Sequence, residues 1–192
     1  MAGPVVLGFD PDTKTPAYAV VTLTEVLEVG ILPAGLREFV VGMESVLKRH
    51  TVALAVVEGQ EIYPGSKVRP NDIKTLAQSA GIAVGTVATL CPSANIAWPE
   101  PREWKQQQPK KVNQGRTFKH YGIGYVLSLG AEPFCYPSGC AKAARIANAG
   151  KLKQSDWKHV ADAVGQALYG AKQKKQGASR GLEVGAGSRR EL

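Results

Sequence analysis

Three carboxylates and one imidazole stand in this sequence where a fold could bring them together. Asp10 directly follows the apolar run VVLGF, and Glu58 directly follows VALAVV. If these runs are neighbouring strands of one sheet, both carboxylates emerge at the same edge of that sheet. His159 and Asp162 are three positions apart in KHVADAVGQALYGA, a spacing that places both side chains on one face of a helix.

Such a cluster predicts a metal site. Carboxylates gathered in a partly dry place repel one another and lose hydration, so the arrangement requires bound cations. A ligand set rich in oxygen favours Mg²⁺, with Mn²⁺ as a substitute. Two such ions about 4 Å apart can activate a water and stabilise the leaving oxygen in phosphodiester hydrolysis. We therefore predict a nuclease with two ions per active site, held by Asp10, Glu58, His159 and Asp162.

Some acidic residues at or near these positions could have purely structural roles, and one could replace a predicted ligand. Asp10 precedes a proline and by itself could be a turn residue. Asp12 is expected in the turn, and Asp156 at the N-terminus of the last helix. Glu61 is an alternative ligand to Glu58, but Glu58 abuts the apolar run and is preferred.

Composition favours a basic protein with a polyanionic partner. The chain has 192 residues, a formal net charge of +8 and a sequence pI of about 9.5, a balance suited to nucleic acid or an anionic membrane surface. No apolar stretch approaches the roughly 20 residues that cross a bilayer. Cys91, Cys135 and Cys140 form no zinc pattern, since Cys135 and Cys140 lack a second ligand pair. We expect free thiols and a reducing, cytoplasmic location.

Apolar periodicity predicts an α/β domain over residues 1–172 and a flexible basic tail over 173–192. An antiparallel hairpin and a third strand come first, followed by strands that alternate with helices. We predict strands at 4–10, 17–23, 25–32, 52–57 and 96–98, and helices at 34–50, 71–88 with Asn71 as N-cap, 113–129, 138–149 and 155–172.

Two basic segments could contact phosphates. One is the loop and helix start after Glu58, and the other is the stretch that follows the fifth strand. The predicted DNA-contacting residues are Lys67, Arg69, Lys74, Trp104, Lys105, Lys110, Lys111, Arg116 and Lys119.

Three segments in order resemble one family. GFDPDTKTPAYAVV, VVEGQE and KHVADAVGQALYGA are similar to the first two strands, the strand-ending glutamate and the final helix of RuvC-type Holliday junction resolvases, in the variant whose last helix reads H-x-x-D. The resemblance implies a ribonuclease H-like fold with a central mixed five-stranded sheet flanked by helices. It also implies a homodimer that makes paired, metal-dependent nicks in four-way DNA junctions, in a bacterial cell or a phage-infected host. Its catalytic set falls on Asp10, Glu58, His159 and Asp162, and PREWK implies that Lys105 lies near the scissile phosphate.

The sequence departs from the family pattern at Asp12, in the loop after Glu58 and in its long C-terminal tail, and it leaves other functions open. Asp12 stands where the family has Gly or Ser, and the loop after Glu58 lacks the family's aromatic segment. The alternatives are another ribonuclease H-like nuclease acting on branched DNA or RNA/DNA, half of an actin-like kinase, and a non-catalytic junction-binding protein. The kinase is disfavoured because these residues contain no adenosine-binding glycine motif.

Overall fold

The computed structural model describes residues 3–59, 69–105, 108–123, 125–126, 134–135 and 142–180. Three strands come first, and helices and shorter strands follow. They are β1 (Val6–Asp10), β2 (Ala17–Val21), β3 (Val26–Ile31), α1 (Leu36–Arg49), β4 (Leu54–Val57), α2 (Pro70–Leu90), β5 (Asn95–Ala97), α3 (Pro101–Lys105), α4 (Lys110–Tyr121), β6 (Tyr125–Val126), β7 (Phe134–Cys135) and α5 (Trp157–Arg180). Short 3₁₀ turns at Ala143–Arg145, Ala149–Lys151 and Gln154–Asp156 precede α5.

A mixed five-stranded sheet forms the centre, in the order β3-β2-β1-β4-β5. β1 pairs antiparallel with β2, and β2 antiparallel with β3, whereas β1 and β4, and β4 and β5, run parallel. β6 and β7 form a separate antiparallel pair. The predicted sheet flanked by helices is therefore confirmed.

The two faces of the sheet carry separate helical layers. Because side chains alternate along a strand, each central strand contributes to both cores. The face toward α4 and α5 includes Val6, Ala19, Leu54 and Val56, and the face toward α1 and α2 includes Leu7, Phe9, Ala55 and Val57.

α5 lies directly on β1, and Gly8 allows this close approach. A Cβ atom at Gly8 would lie 2.0 Å from the backbone oxygen of Ala163 and 2.7 Å from the backbone nitrogen of Ala167. No other residue type fits this space without moving the helix. The position of α5 over the sheet is therefore set by a missing side chain on β1.

One buried carboxylate on β3 ties the sheet to elements on both sides. Glu28 is 1% exposed, and it accepts hydrogen bonds from Tyr18 (2.7 Å), from Nε of Arg49 (3.1 Å) and from Asn148 (2.8 Å), and pairs with His50 (2.7 Å). Burial opposes ionisation of Glu28, but the hydrogen bonds from Arg49, Tyr18 and His50 outweigh it and lower its pKa to about 2. This network is satisfied within the protein and lies outside the candidate site.

Three of the predicted helices differ from the structure. α2 begins at Pro70 with Arg69 as N-cap, not with a cap at Asn71, because proline is favoured in the first turn of a helix. α4 runs from Lys110 and ends at Tyr121, not at 129, because Gly122 adopts the left-handed conformation that terminates helices. In the described part of the predicted helix 138–149 the chain makes 3₁₀ turns, with Asn148 at φ 65°.

α5 also extends beyond its predicted end at 172. It continues to Arg180, so the first eight residues of the predicted tail are helical. Lys, Gln and Ala in this segment are favourable helix formers, and Lys174 donates to the backbone carbonyl of Ala53 at 3.1 Å. The rest of the predicted tail lies outside the described residues.

Within the described ranges, none of the helices has the length and apolar character needed to cross a membrane.

Replacing Gly8 by Ala should destabilise the fold by about 3 kcal/mol, because the added methyl overlaps the α5 backbone. Urea denaturation measures this. The matched control is Gly81→Ala on α2, where a Cβ meets nothing within 4 Å. Because alanine favours a helix more than glycine does, this variant should have a free energy of unfolding about 0.5–1 kcal/mol higher than wild type. Equal stabilities for the two variants would contradict the packing of α5 described above.

Candidate active site

The pairing of β1 with β4 brings Asp10 and Glu58 to adjacent positions. The parallel register pairs Gly8 with Val56 and Phe9 with Val57, so the next residues along are Asp10 and Glu58. Both belong to the alternating set that faces α5. The predicted juxtaposition of these two carboxylates at one sheet edge follows from this register.

α5 supplies the imidazole beside Asp10. Nδ1 of His159 lies 3.0 Å from Oδ2 of Asp10, and both side chains are largely buried. The same nitrogen is 3.9 Å from Oδ2 of Asp12. His159 therefore serves as the immediate partner of the β1 carboxylate.

Asp162, one turn further along α5, is held by α4. The side chain is 3% exposed, and its Oδ1 accepts a hydrogen bond from Nε2 of Gln114 at 2.7 Å. The same amide nitrogen donates to the backbone carbonyl of Lys158 at 3.0 Å. Oδ2 of Asp162 forms an ion pair with Lys110.

Glu58 receives donors from α3 and α5. Its Oε2 accepts hydrogen bonds from the indole Nε1 of Trp104 at 3.1 Å and from Nε2 of Gln166 at 3.3 Å. Nζ of Lys105 lies 3.3 Å from Oε1. Each of the three carboxylates thus has one basic side chain beside it: His159 at Asp10, Lys105 at Glu58 and Lys110 at Asp162.

Burial and the repulsion between neighbouring carboxylates disfavour the charged forms of Asp10 and Glu58. Burial raises the pKa of Asp10; the hydrogen bond with His159 opposes this, and the charge of Asp162 adds to it. Burial likewise raises the pKa of Glu58, opposed by Lys105 and reinforced by the charges of Asp10 and Asp162. Asp162 outweighs the effect of burial on Lys110 and raises the pKa of that ammonium.

The side chains of the site are chemically suited to bind a divalent ion. In the described part of the chain, no three His, Cys, Asp or Glu side chains are close enough together to hold an ion. However, burial, reinforced by the charges of neighbouring carboxylates, raises the pKa values of Asp10 and Glu58, and a hard cation bound beside them would stabilise their charged forms. Carboxylate oxygens and one imidazole are also suitable ligands for Mg²⁺ or Mn²⁺.

The two other acids have the structural roles expected of them. Oδ1 of Asp12 accepts from the backbone N–H groups of Lys14 (2.9 Å) and Thr15 (2.8 Å), which makes it a turn residue. Burial opposes ionisation of Asp12, but these hydrogen bonds outweigh it and lower its pKa. Asp156 accepts from the backbone N–H of Lys153 at 2.8 Å in the turn before α5.

The predicted DNA-contacting residues separate into three groups. Lys67 lies outside the described residues, as do Glu61 and Cys140. Lys105 and Lys110 contact carboxylates of the site, as given above. The remaining cations are exposed on α2 and α4, namely Arg69, Lys74, Lys111, Arg116 and Lys119.

Trp104 has a different place from the DNA contact expected of it. The side chain is 4% exposed, so its ring is not available to stack on a base. The indole N–H of Trp104 instead donates a hydrogen bond to Glu58. Sequence reasoning also missed Gln114 and Gln166, although a glutamine four residues after Asp162 on an otherwise apolar helix is a visible signal.

Comparison with known proteins shows the fold. No protein-family model and no curated protein matches the chain. Among solved structures, Thermus thermophilus RuvC aligns at a TM-score of 0.59 and 16% identity, over 90% of this chain and 96% of that one. T. thermophilus RuvC in complex with a Holliday junction substrate gives 0.58 and 19%, over 91% and 96%. The yeast mitochondrial Holliday junction resolvase Ydc2 gives 0.50 and 12%, over 95% and 87%. The predicted ribonuclease H-like fold of the RuvC type is thereby confirmed.

Asp10→Asn should raise the free energy of unfolding at pH 7 in the presence of chelator. Because the folded-state pKa of Asp10 is raised, its contribution to stability is fully present below the unfolded value of about 3.9 and is lost as pH rises through the folded value. The advantage of the variant over wild type should therefore shrink as pH is lowered toward 3.5. Urea denaturation across this pH range measures it.

Asp12→Asn is the matched comparison, and it should change the free energy of unfolding in the opposite direction. The folded-state pKa of Asp12 is lowered, so its stabilising contribution is present above about pH 3.9 and is lost as pH falls through the folded value. This variant should be less stable than wild type at pH 7. A destabilised Asp10→Asn protein at pH 7 would contradict the electrostatic account of the site.

Proposed function

We propose that this chain, which has the fold of the RuvC-type resolvases, is a divalent-metal-dependent endonuclease that resolves four-way DNA junctions by paired phosphodiester hydrolysis. The observation that carries the proposal is the charge arrangement at the sheet edge. Asp10 and Glu58 lie side by side at the ends of β1 and β4, and Asp162 on α5 acts electrostatically on both. The solved structure of a similar fold with a junction substrate supports the choice of DNA.

Asp10, Glu58, Asp162 and His159 would hold the metal ions. We propose two Mg²⁺ ions per site, with Mn²⁺ as a substitute, because the donors are mainly carboxylate oxygens. Bound there, the ions would supply an activated water and stabilise the leaving oxygen of the phosphodiester. The protein supplies the geometry: two strand ends and one rigid helix fix the ligands relative to one another.

Lys105 and Lys110 would change partners when metal and DNA bind. In this structure they lie beside Glu58 and Asp162 and partly balance those charges. When divalent cations take over that role, the two ammonium groups can turn to the scissile phosphate, as the resemblance implies for Lys105. The nucleic-acid contact is then coupled to metal binding.

DNA binding would use the exposed basic residues around the site. Lys111, Arg116 and Lys119 lie on the exposed side of α4. Arg116 and Lys172 also line a cleft whose wall includes Trp104. Phosphate contacts of this kind give affinity for DNA without sequence preference. Two copies of the chain would place two such surfaces and two active sites on a junction of approximate two-fold symmetry.

Asp10→Asn should abolish junction cutting and leave junction binding intact, because it removes a ligand and no exposed cation. The assay incubates a mobile four-way junction and a matched linear duplex with Mg²⁺, Mn²⁺ or chelator, and a gel shift in chelator measures binding. The control is Glu44→Gln, which removes a half-buried carboxylate on α1 paired with Lys48. Wild-type cutting by Asp10→Asn would refute the active-site assignment, and junction binding by a wild-type protein that never cuts would favour the non-catalytic alternative.

Wild-type protein at micromolar concentration should sediment at twice the 20.4 kDa mass of one chain. Mixed dimers of wild type and Asp10→Asn should nick one strand of a junction and leave the opposite strand intact, since each subunit would cut one strand. A monomer that makes paired nicks would contradict the dimer.

A further inference from the structure

Two uncharged side chains donate hydrogen bonds to the same oxygen of Glu58. Oε2 accepts from Trp104 at 3.1 Å and from Gln166 at 3.3 Å. Nζ of Lys105 lies 3.3 Å from Oε1 and 3.5 Å from Oε2. Two uncharged donors on rigid, buried side chains thus converge on one oxygen, whereas the flexible ammonium lies nearer the other.

Burial of the Gln166 side-chain carbonyl destabilises the folded state. The residue is 0% exposed, and within the described part of the chain its Oε1 has no hydrogen-bond partner. A buried carbonyl without a partner destabilises the folded state, and an apolar side chain of similar size would avoid this. The donation from Nε2 to Glu58 is therefore what distinguishes glutamine from leucine at this position.

Trp104 and Gln166 are placed by the same contact between α3 and α5. The indole of Trp104 packs over Gly165, where a Cβ would lie 2.8 Å from Cζ3 of the ring. Gly165 immediately precedes Gln166, so the contact that seats the indole also sets its distance from the glutamine amide. The two donors consequently approach Glu58 as one unit.

We infer that Trp104 and Gln166 are positioning residues that hold Oε2 of Glu58 and direct Oε1 toward the divalent ion. The inference rests on the proposed function, because it assigns an orientation to one of the proposed metal ligands. Oε1 would bind the ion in place of Lys105, while Oε2 would keep its hydrogen bonds from Trp104 and Gln166. Lys105 also lies 4.6 Å from the centroid of the Trp104 ring, a cation–π contact that remains available to the ammonium after the exchange.

The test measures Mn²⁺ binding by the full chain in the absence of DNA, from the electron paramagnetic resonance signal of free Mn²⁺. Gln166→Leu and Trp104→Phe each delete one donor and should weaken Mn²⁺ affinity by about 10- to 100-fold, the range for groups that orient metal ligands. The control is Tyr121→Phe, which deletes a buried aromatic donor that bonds the Thr22 carbonyl at 2.9 Å. Its Mn²⁺ affinity should equal that of wild type.

Junction cutting provides a second readout. In Gln166→Leu the Mg²⁺ concentration for half-maximal rate should rise by a similar factor, while the rate at saturating Mg²⁺ returns toward wild type. A role in packing alone would lower the melting temperature and leave the Mg²⁺ requirement unchanged. Gln166→Leu also removes the carbonyl without a partner, so its melting temperature should equal or exceed that of wild type.

The outcomes separate this inference from the proposed function. If wild type binds Mn²⁺ and cuts junctions but Gln166→Leu, folded, binds Mn²⁺ with wild-type affinity, the positioning role is refuted and the nuclease remains. If wild type neither binds Mn²⁺ nor cuts junctions, the proposed function fails and the inference fails with it. Gln166→Leu decides the matter if Trp104→Phe does not fold.

Discussion

Negative charge concentrated at one partly buried edge of the sheet is the constraint on which the rest of the site depends. Asp10 and Glu58 lie at the ends of adjacent strands, where burial raises the pKa of both and the charge of Asp162 on the facing helix adds to the effect. Carboxylates in this position repel one another and lose hydration, so positive charge must be supplied. Among the described residues, His159, Lys105 and Lys110 each lie beside one of these carboxylates. Burial is the main cause of the raised pKa values of Asp10 and Glu58, and a divalent ion bound at this edge would stabilise their charged forms.

The fold serves this arrangement by placing rigid elements on three sides. Strand alternation turns both strand-end carboxylates toward α5, and the absence of a side chain at Gly8 lets that helix lie directly on the sheet. α4 holds Asp162 through Gln114, and α3 holds Glu58 through Trp104. A site whose ligands come from strand ends and a packed helix keeps its geometry when its counter-ions are exchanged.

The sheet and the carboxylates could be predicted from the sequence because both follow from local patterns. Apolar runs that end on Asp10 and Glu58 and the i, i+3 pair of His159 and Asp162 require only strand and helix periodicity. The places of Trp104 and Gln166 could not, because they depend on how α3 and α5 pack, which no local pattern encodes. A tryptophan in a basic segment looks like a nucleic-acid contact until its burial is known.

The contacts of the basic side chains also could not be predicted from the sequence. Lys105 and Lys110 belong to one basic segment of the sequence, but only tertiary structure reveals that they lie on different carboxylates. Each ammonium partly balances the charge of its carboxylate, and under the proposed function metal binding would release it to another partner. Crystals grown with Mn²⁺ and measured at the manganese absorption edge test this most directly. We predict anomalous peaks bounded by Asp10, Glu58 and Asp162, with Nζ of Lys105 displaced from Oε1 of Glu58. Manganese absent from this edge at saturating concentration, with Lys105 still on Glu58, would contradict the account.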